Sequence, residues 1–191
     1  DISSATFMPL TVGGKIRTMN DIEERLLNGA DKICLNTMAF TNPNFITEAA
    51  NEFGSQCIVV SLDAKKLNDG HYVFGNSGKD NTKLTACDLS KIVEEKGAGE
   101  IFINSIDNDG VGKGYDIDLI DHVSSSVNIP VIACGGVGEW DHFSDALDKT
   151  NVDAVAAANI FHYIDQSVFI AKKYLHDAGY NFRRPDLIKI K

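Results

Sequence analysis

The segments PLTVGG…GADKICLNTMAF (residues 9–40) and PVIACGG…NVDAVAAANIF (residues 130–161) share one arrangement, and that arrangement decides the fold. In each, a proline-led apolar run ends in Gly-Gly and is followed by a helix-like segment, an aspartate and a second run of small apolar residues. The offset is 121 residues at the prolines and 122 at the aspartates, Asp31 and Asp153. This duplication, four strands apart, predicts a (β/α) barrel made of two half-barrels rather than an open doubly wound sheet.

Outward from the repeat, apolar runs alternate with helix-like segments along the whole chain. Runs that are apolar on both faces are typical of parallel strands covered by helices, and several helix-like segments end on glycine, a common helix stop. The pattern predicts one α/β domain over residues 1–191 with six βα units. Helices are expected at residues 18–29, 42–54, 84–97, 116–127, 139–149 and 166–179. Strands are expected at residues 9–14, 32–37, 57–64, 100–107, 130–136 and 154–161, with a short hairpin or lid loop at 71–82.

The composition excludes several classes of function. A net charge of −9 over 191 residues disfavours nucleic acid and anionic membrane as partners, since both require a basic face. No apolar stretch is long enough to span a bilayer. The five histidines show no ligand spacing, so neither a metal nor another cofactor is expected. The four cysteines lack a CxxC motif and predict buried free thiols in a reducing cytoplasm; they are Cys34, Cys57, Cys87 and Cys134.

The glycines and aspartates at the ends of the predicted strands indicate which chemistry the site performs. Glycines there allow backbone N–H groups to approach an anion, and two such sites related by half-barrel symmetry would hold a substrate with a phosphate at each end. Between them, Asp63 closes the very apolar run CIVVSLD and is the best candidate for acid–base work. Pairing with Lys65, or capping of a loop, is the structural alternative. Asp107 and Asp109 remain competitors for the catalytic role.

Six ordered motifs are similar to one known family. PLTVGGKIRT, GADKICLNT, FGSQCIVVSLDAKK, GAGEIFINSIDNDGVGKGYD, IPVIACGGVG and ANIFHY resemble HisF, the cyclase subunits of imidazole glycerol phosphate synthase. The resemblance implies a (β/α)8 barrel and a lyase-type cyclase that receives ammonia from a glutamine amidotransferase, HisH. It also implies a bisphosphorylated ribulosyl aminoimidazole carboxamide nucleotide as substrate. The products would be imidazole glycerol phosphate, for histidine synthesis, and an aminoimidazole carboxamide nucleotide.

The resemblance assigns roles to particular residues. It implies that Asp63 is a catalytic aspartate and that Lys32 and Glu100 line the ammonia entrance, where they would also form a salt bridge. Asp31 would face the amidotransferase. One phosphate site would comprise Gly14, Lys15, Asn36 and Thr37, and the other Asp109, Gly110, Gly136, Ala158 and Asn159. The stretch NSIDNDGVGKGYD (residues 104–116) is therefore interpreted mainly as an anion clamp in which Asp116 caps the next helix and Asp107 has no assigned role.

Three departures from the family pattern stand out. Lys15 occupies a position where the family has glycine, which demands a positive φ from a residue with a Cβ or adds a cation near phosphate. Asn159 replaces a serine. The first two βα units, with the strand that carries the other catalytic aspartate, have no counterpart. Asp1 is therefore expected in the second helix of the barrel, and these residues alone are expected to lack activity.

Three other functions remain open from the sequence. The C-terminal run NIFHYIDQSVFIAKKYLHDAGYNFRRPDL (residues 159–187) also resembles HisF-like paralogues that supply ammonia for sugar modification in surface-polysaccharide (O-antigen) synthesis. A non-catalytic ammonia-channel scaffold and an isomerase similar to HisA are further alternatives. A scaffold need not keep both anion sites, whereas the cyclase requires both.

Overall fold

The computed structural model describes residues 8–162 and 167–185. The strands are β1 Thr11–Gly13, β2 Lys32–Leu35, β3 Ile58–Leu67, β4 Gly70–Gly75, β5 Asp80–Thr85, β6 Glu100–Ser105, β7 Val131–Cys134 and β8 Ala154–Val155. The helices are α1 Met19–Leu27, α2 Met38–Thr41, α3 Asn44–Phe53, α4 Ala86–Glu95, α5 Ile117–Ser124, α6 Asp141–Lys149 and α7 Val168–Asp177.

Six of the strands form a curled parallel sheet in the order β1-β2-β3-β6-β7-β8. The alternation of strands and helices confirms the α/β architecture of the (β/α) barrel type and its six βα units. Within residues 8–162 and 167–185, β1 and β8 each pair on one side, so the described sheet is open between them. The expected helix around Asp1 lies outside the described residues. No helix of the described part of the chain is long and apolar enough to cross a membrane.

The last strand is much shorter than predicted. A strand was expected over residues 154–161, but β8 holds two residues and is followed by a 3₁₀ turn at Asn159–His162. The Ala156 N–H still donates to the Ala133 carbonyl oxygen of β7 at 2.8 Å, and the chain then leaves the sheet. The run of small residues therefore forms the short strand and the turn after it. A further helix, α2, was not predicted.

The hairpin expected at residues 71–82 is confirmed and is larger than predicted. It comprises β4 and β5, and it continues directly from β3, which extends to Leu67. Gly75 packs against the ring of Phe40 from α2, where an added Cβ would lie 2.6 Å from a ring carbon. This contact fixes the hairpin beside the carboxyl end of β2.

Side chains of the helix-capping type begin four of the helices. Thr18 and Asp21 form a reciprocal capping box at α1, in which each side chain accepts a backbone N–H of the other residue. The Asp116 carboxylate accepts the Leu119 N–H at 3.0 Å, which confirms it as the cap of α5. Thr85 and Ser167 cap α4 and α7 in the same way.

The two faces of the sheet differ in burial. Ile33 and Leu35 of β2, and Ile101 and Ile103 of β6, are at most 1% exposed and pack in the core formed with the helices. The residues between them in each strand are half-buried and lie on the concave face. The helices thus seal the convex face, and the concave face keeps the polar side chains.

The two aspartates of the sequence repeat do the same structural work. The Asp31 carboxylate accepts the Leu10 N–H at 2.7 Å, and the Asp153 carboxylate accepts the Val131 N–H at 2.9 Å. In each copy the donor is the residue directly after the proline. The sequence repeat therefore reflects a repeated hydrogen bond. In each copy, the aspartate just before one strand accepts an N–H at the start of the preceding strand.

We expect Asp153→Ala to lower the free energy of unfolding by about 1.5 kcal/mol and Asp31→Ala by about 0.5 kcal/mol. Both changes remove an acceptor for a strand-starting N–H, and the bond of Asp153 is the more buried. Urea denaturation measures both values, with the exposed Asp145→Ala as a control expected to change little. An unchanged Asp153→Ala protein would contradict the structural role.

Candidate active site

Asp63 lies in β3 beside the carboxyl ends of the neighbouring strands β2 and β6. β3 itself continues to Leu67, so Asp63 does not end its strand as the sequence predicted. Its half-buried carboxylate accepts one amide N–H from each side, from Asn36 Nδ2 to Oδ2 at 3.0 Å and from Asn104 Nδ2 to Oδ1 at 3.2 Å. Asn104 is its register partner in β6, and Asn36 directly follows β2. Among the described ion pairs none joins Asp63 to Lys65, so the structural alternative of that pairing is not observed.

The two competing aspartates occupy different positions. The Asp107 carboxylate accepts the Lys66 N–H at 2.9 Å and thereby ties the far part of β3 to the loop after β6. This contact supplies the structural role that the sequence left unassigned. Asp109 begins the next turn, where its N–H donates to the Ser105 carbonyl oxygen at 2.9 Å.

The first Gly-Gly turn borders a large cavity. Gly14 and Lys15 both have a positive φ, +98° and +56°, which confirms that the lysine adopts the left-handed conformation demanded by the turn. The Arg25 guanidinium donates to the Gly14 carbonyl oxygen at 3.1 Å and holds the turn against α1. The cavity measures about 560 Å³. It is lined by Gly13, Gly14, Lys15, Ile16, Arg17, Cys34, Leu35, Asn36, Thr37, Met38, Thr41 and Ser61.

The five residues predicted for the second phosphate site line one narrow cleft. Gly136 fits only as glycine, because an added Cβ would lie 2.0 Å from the Gly114 carbonyl oxygen. The Gly114 N–H in turn donates to the Gly136 carbonyl oxygen at 2.8 Å. The enclosed space is about 10 Å³, room for about one oxygen atom, so a whole phosphate group would have to lie at the open side. The lining comprises Asp109, Gly110, Cys134, Gly135, Gly136, Val137, Ala157, Ala158 and Asn159.

Two cysteines, Cys34 of β2 and Cys134 of β7, lie on the concave face of the sheet. Burial, followed by the charge of Asp63, raises the pKa of Cys34 to about 11. Burial, followed by the charge of Asp109, raises the pKa of Cys134 to about 11. All four cysteines are free thiols, as predicted, but each is half-buried, so the expectation that they are buried was wrong. For these two, the reason is that they face the concave side of the sheet.

The opposite end of the sheet carries an ion pair. Lys32 Nζ at the start of β2 contacts Glu100 at the start of β6, which confirms the predicted salt bridge. Both side chains are half-buried, and Asp31 is beside them in sequence. The concave face therefore runs from this ion pair to Asp63. No cluster of three or more His, Cys, Asp or Glu residues in the described ranges could hold a metal ion.

Sequence reasoning missed Asn104 and Arg25. Asn104 lies two residues after Phe102 and four after Glu100, so strand alternation alone places it on the concave face. This alternation can be recognised in the sequence. Its pairing with Asp63 depends on the register between β3 and β6, which local pattern does not give.

Comparison with known proteins identifies relatives over nearly the whole chain. Residues 1–166 match the family described as Histidine biosynthesis protein. The imidazole glycerol phosphate synthase subunit HisF of Clostridium botulinum (strain Okra / Type B1) is 47% identical over 179 residues, which are 93% of this chain and 71% of that protein.

Two further HisF subunits give the same result. That of Campylobacter concisus (strain 13826) is 47% identical over 182 residues, 95% of this chain and 72% of its own length. That of Hydrogenobaculum sp. (strain Y04AAS1) is 47% identical over 183 residues, 95% of this chain and 73% of its own length.

The raised thiol pKa values predict slow alkylation. At pH 8 a thiol with a pKa of about 11 is a thiolate roughly 100-fold less often than a thiol with a pKa of 9.0, so Cys34 and Cys134 should react with iodoacetamide slower by about that factor than free glutathione. Peptide mass spectrometry at a series of pH values measures each rate. Folding raises both pKa values from 9.0. The contribution of these thiols to the free energy of unfolding is therefore fully present below about pH 9 and is lost as the pH rises towards 11. Reaction at the glutathione rate at pH 8 would contradict the assignment.

Proposed function

The chain belongs to the histidine biosynthesis protein family, among the HisF subunits of imidazole glycerol phosphate synthase, and we propose that it supplies one catalytic aspartate and both phosphate sites for the cyclase reaction of that enzyme in the cytoplasm. In this reaction ammonia combines with a bisphosphorylated ribulosyl aminoimidazole carboxamide nucleotide. The products are imidazole glycerol phosphate and an aminoimidazole carboxamide nucleotide. The observation that carries the proposal is the position of Asp63: its carboxylate is held by Asn36 and Asn104, and its strand β3 lies in the sheet between β1 and β7, the strands that lead into the two Gly-Gly turns.

The first phosphate fits the cavity after β1. Its volume of about 560 Å³ is within the range of small-molecule sites. The N-terminus of α1 follows the turn, but the Asp21 carboxylate already accepts the Arg17 and Thr18 N–H groups there, so the proposed backbone donors are those of the turn itself. Lys15 contributes a cation at the edge of the cavity, and Thr37 contributes a hydroxyl group. Asn36 is shared, because its amide also holds Asp63.

The second phosphate fits the open side of the cleft between β6, β7 and β8. Gly110 and Gly136 both have a positive φ, +75° and +109°, which exposes backbone N–H groups without a Cβ in the way. Asn159 offers an amide in place of the family's serine hydroxyl. The Asp109 carboxylate is the one group that repels an anion, so we assign it to shaping the turn.

Asp63 is the proton relay of the proposed reaction. Ammonia that becomes a ring nitrogen must lose protons, and the carbonyl oxygen that it replaces must gain them to leave as water. A carboxylate oxygen has two lone pairs, so each oxygen of Asp63 can keep its amide bond and still exchange a proton with the substrate. Such a relay is typically worth ~10²–10⁴ in rate.

Ammonia enters at the opposite end in this proposal. The partner is a glutamine amidotransferase subunit similar to HisH, which would dock beside Asp31 and the Lys32–Glu100 ion pair. Separation of this pair would open a path along the concave face towards Asp63. The cyclase would then receive ammonia without its release into water.

Calorimetry with the bisphosphorylated nucleotide tests the proposed function directly. The assays use a version of the protein that carries all eight βα units, called the full-length protein below. We expect it to bind the nucleotide at micromolar concentration and to form imidazole glycerol phosphate when ammonium is present. A HisF-like subunit of polysaccharide synthesis or a channel scaffold would not turn over this nucleotide. An isomerase similar to HisA would convert a bisphosphorylated nucleotide without consuming ammonia.

We expect Asp63→Asn to lower kcat by about 10²-fold or more while KM for the nucleotide changes less than threefold. The substitution keeps the size of the side chain and removes its ability to exchange protons. Steady-state assays with ammonium salts measure both constants in the full-length protein. Unchanged kcat with strongly weakened nucleotide binding would reject the relay role.

We expect Gly136→Ala to weaken nucleotide binding at least 10-fold, because the new methyl group must displace the Gly114 carbonyl and the loop that carries it. Gly179→Ala is the matched control. Gly179 also has a positive φ, +93°, but a Cβ there meets nothing within 4 Å, and it follows α7 away from the cleft. Titration calorimetry compares the two variants. Equal affinities would show that the cleft does not hold the second phosphate.

A further inference from the structure

Asn104 uses one end of its amide in a defined contact. Its Nδ2 donates to Asp63 Oδ1 at 3.2 Å across the β3–β6 pairing, where the two residues are in register. Asn36 holds the other carboxylate oxygen and also donates to the Ser61 carbonyl oxygen at 3.1 Å. The central carboxylate thus has one amide on each oxygen.

The orientation of the Asn104 amide is fixed by this contact. Exchange of its nitrogen and oxygen would set an amide oxygen against the Asp63 carboxylate oxygen at 3.2 Å, where two acceptors repel each other. The amide oxygen must therefore point away from Asp63. It lies on the side of Gly135, where an added Cβ would be 2.8 Å from it.

That amide oxygen has no hydrogen-bond partner. Within residues 8–162 and 167–185, Asn104 Oδ1 is the single buried side-chain nitrogen or oxygen atom without one. Native proteins satisfy nearly all such atoms, because an unpaired buried acceptor destabilises the fold. The Nδ2–H of the same amide satisfies an oxygen of the Asp63 carboxylate, so the side-chain contact of Asn104 is the bond to Asp63.

We propose that Asn104 is the positioning residue of Asp63 and is retained for its amide N–H. The inference rests on the proposed role of Asp63 as proton relay. With an amide on each oxygen, the carboxylate cannot rotate about its Cβ–Cγ bond without losing a bond. Without Asn104, Asn36 alone holds one oxygen and the other is free to turn away from the substrate.

Asn104→Leu tests the proposal because leucine keeps the approximate shape and removes both amide groups. We expect kcat with ammonium to fall about 10²-fold, the loss that a misplacement of about 1 Å can cause, with KM for the nucleotide nearly unchanged. The melting temperature should change little, because the lost bond to the carboxylate and the removed unpaired oxygen offset each other. A kcat within twofold of wild type would overturn the proposal.

A second measurement does not depend on turnover. In ¹⁵N-correlated NMR spectra of the full-length protein, the side-chain amide signals of Asn36 should shift in Asn104→Leu, because its carboxylate partner becomes mobile. Asn151→Leu is the matched control; it removes an exposed amide contact to Ser125 and should leave the Asn36 signals and kcat unchanged.

The two measurements separate the possible failures. If the wild-type protein does not turn over the nucleotide, the proposed function fails, and the Asn36 signals still decide the role of Asn104. Unmoved Asn36 signals in Asn104→Leu would overturn the positioning role whether or not the protein is a cyclase.

Discussion

The parallel register of β2, β3 and β6 is the constraint on which the candidate site depends. Because the three strands run in the same direction and β3 pairs with β6 residue for residue, Asn36, Asp63 and Asn104 arrive side by side at one edge of the sheet. A shift of one residue in β3 would turn Asp63 towards the helices, into the layer where Leu62 is fully buried. An unpaired carboxylate in that layer would be costly, so the buried face and the site specify the same register.

The two ends of the sheet are built on different principles. At the amino ends, carboxylates form local contacts that hold the strands together: Asp31 and Asp153 bind strand-starting N–H groups, and Glu100 pairs with Lys32. At the carboxyl ends, glycines with positive φ replace side chains and leave backbone groups exposed. The first end is therefore suited to rigidity, whereas the second is suited to binding anions.

Much of this arrangement could be predicted from the sequence because the repeat carries it. The apolar runs and the Gly-Gly turns are local features, and the left-handed φ of Lys15 follows from the turn. The predicted end of β3 at Asp63 was wrong, because the strand continues to Leu67 by pairing with β4. Two kinds of feature could not be predicted. The contact between Asn104 and Asp63 depends on cross-strand register, and the early end of β8 depends on how far its small residues stay paired with β7.

Lys15 and Asn104 are the two places where the chain accepts a local cost beside its candidate site. A lysine in the left-handed conformation is strained by roughly 1 kcal/mol relative to glycine, and it is kept there by the buried Ile16 that follows and by the Arg25 contact to Gly14. An unpaired amide oxygen at Asn104 costs a similar amount. Lys15 lines the first cavity and Asn104 contacts Asp63. Left-handed backbone at non-glycine residues also occurs in the β4–β5 hairpin, at Asn76, Ser77 and Lys83, so strain alone does not mark the site. At Lys15 and Asn104 the local cost coincides with a place where an anion or a proton relay would need a cation or an amide, as expected when function selects the residue.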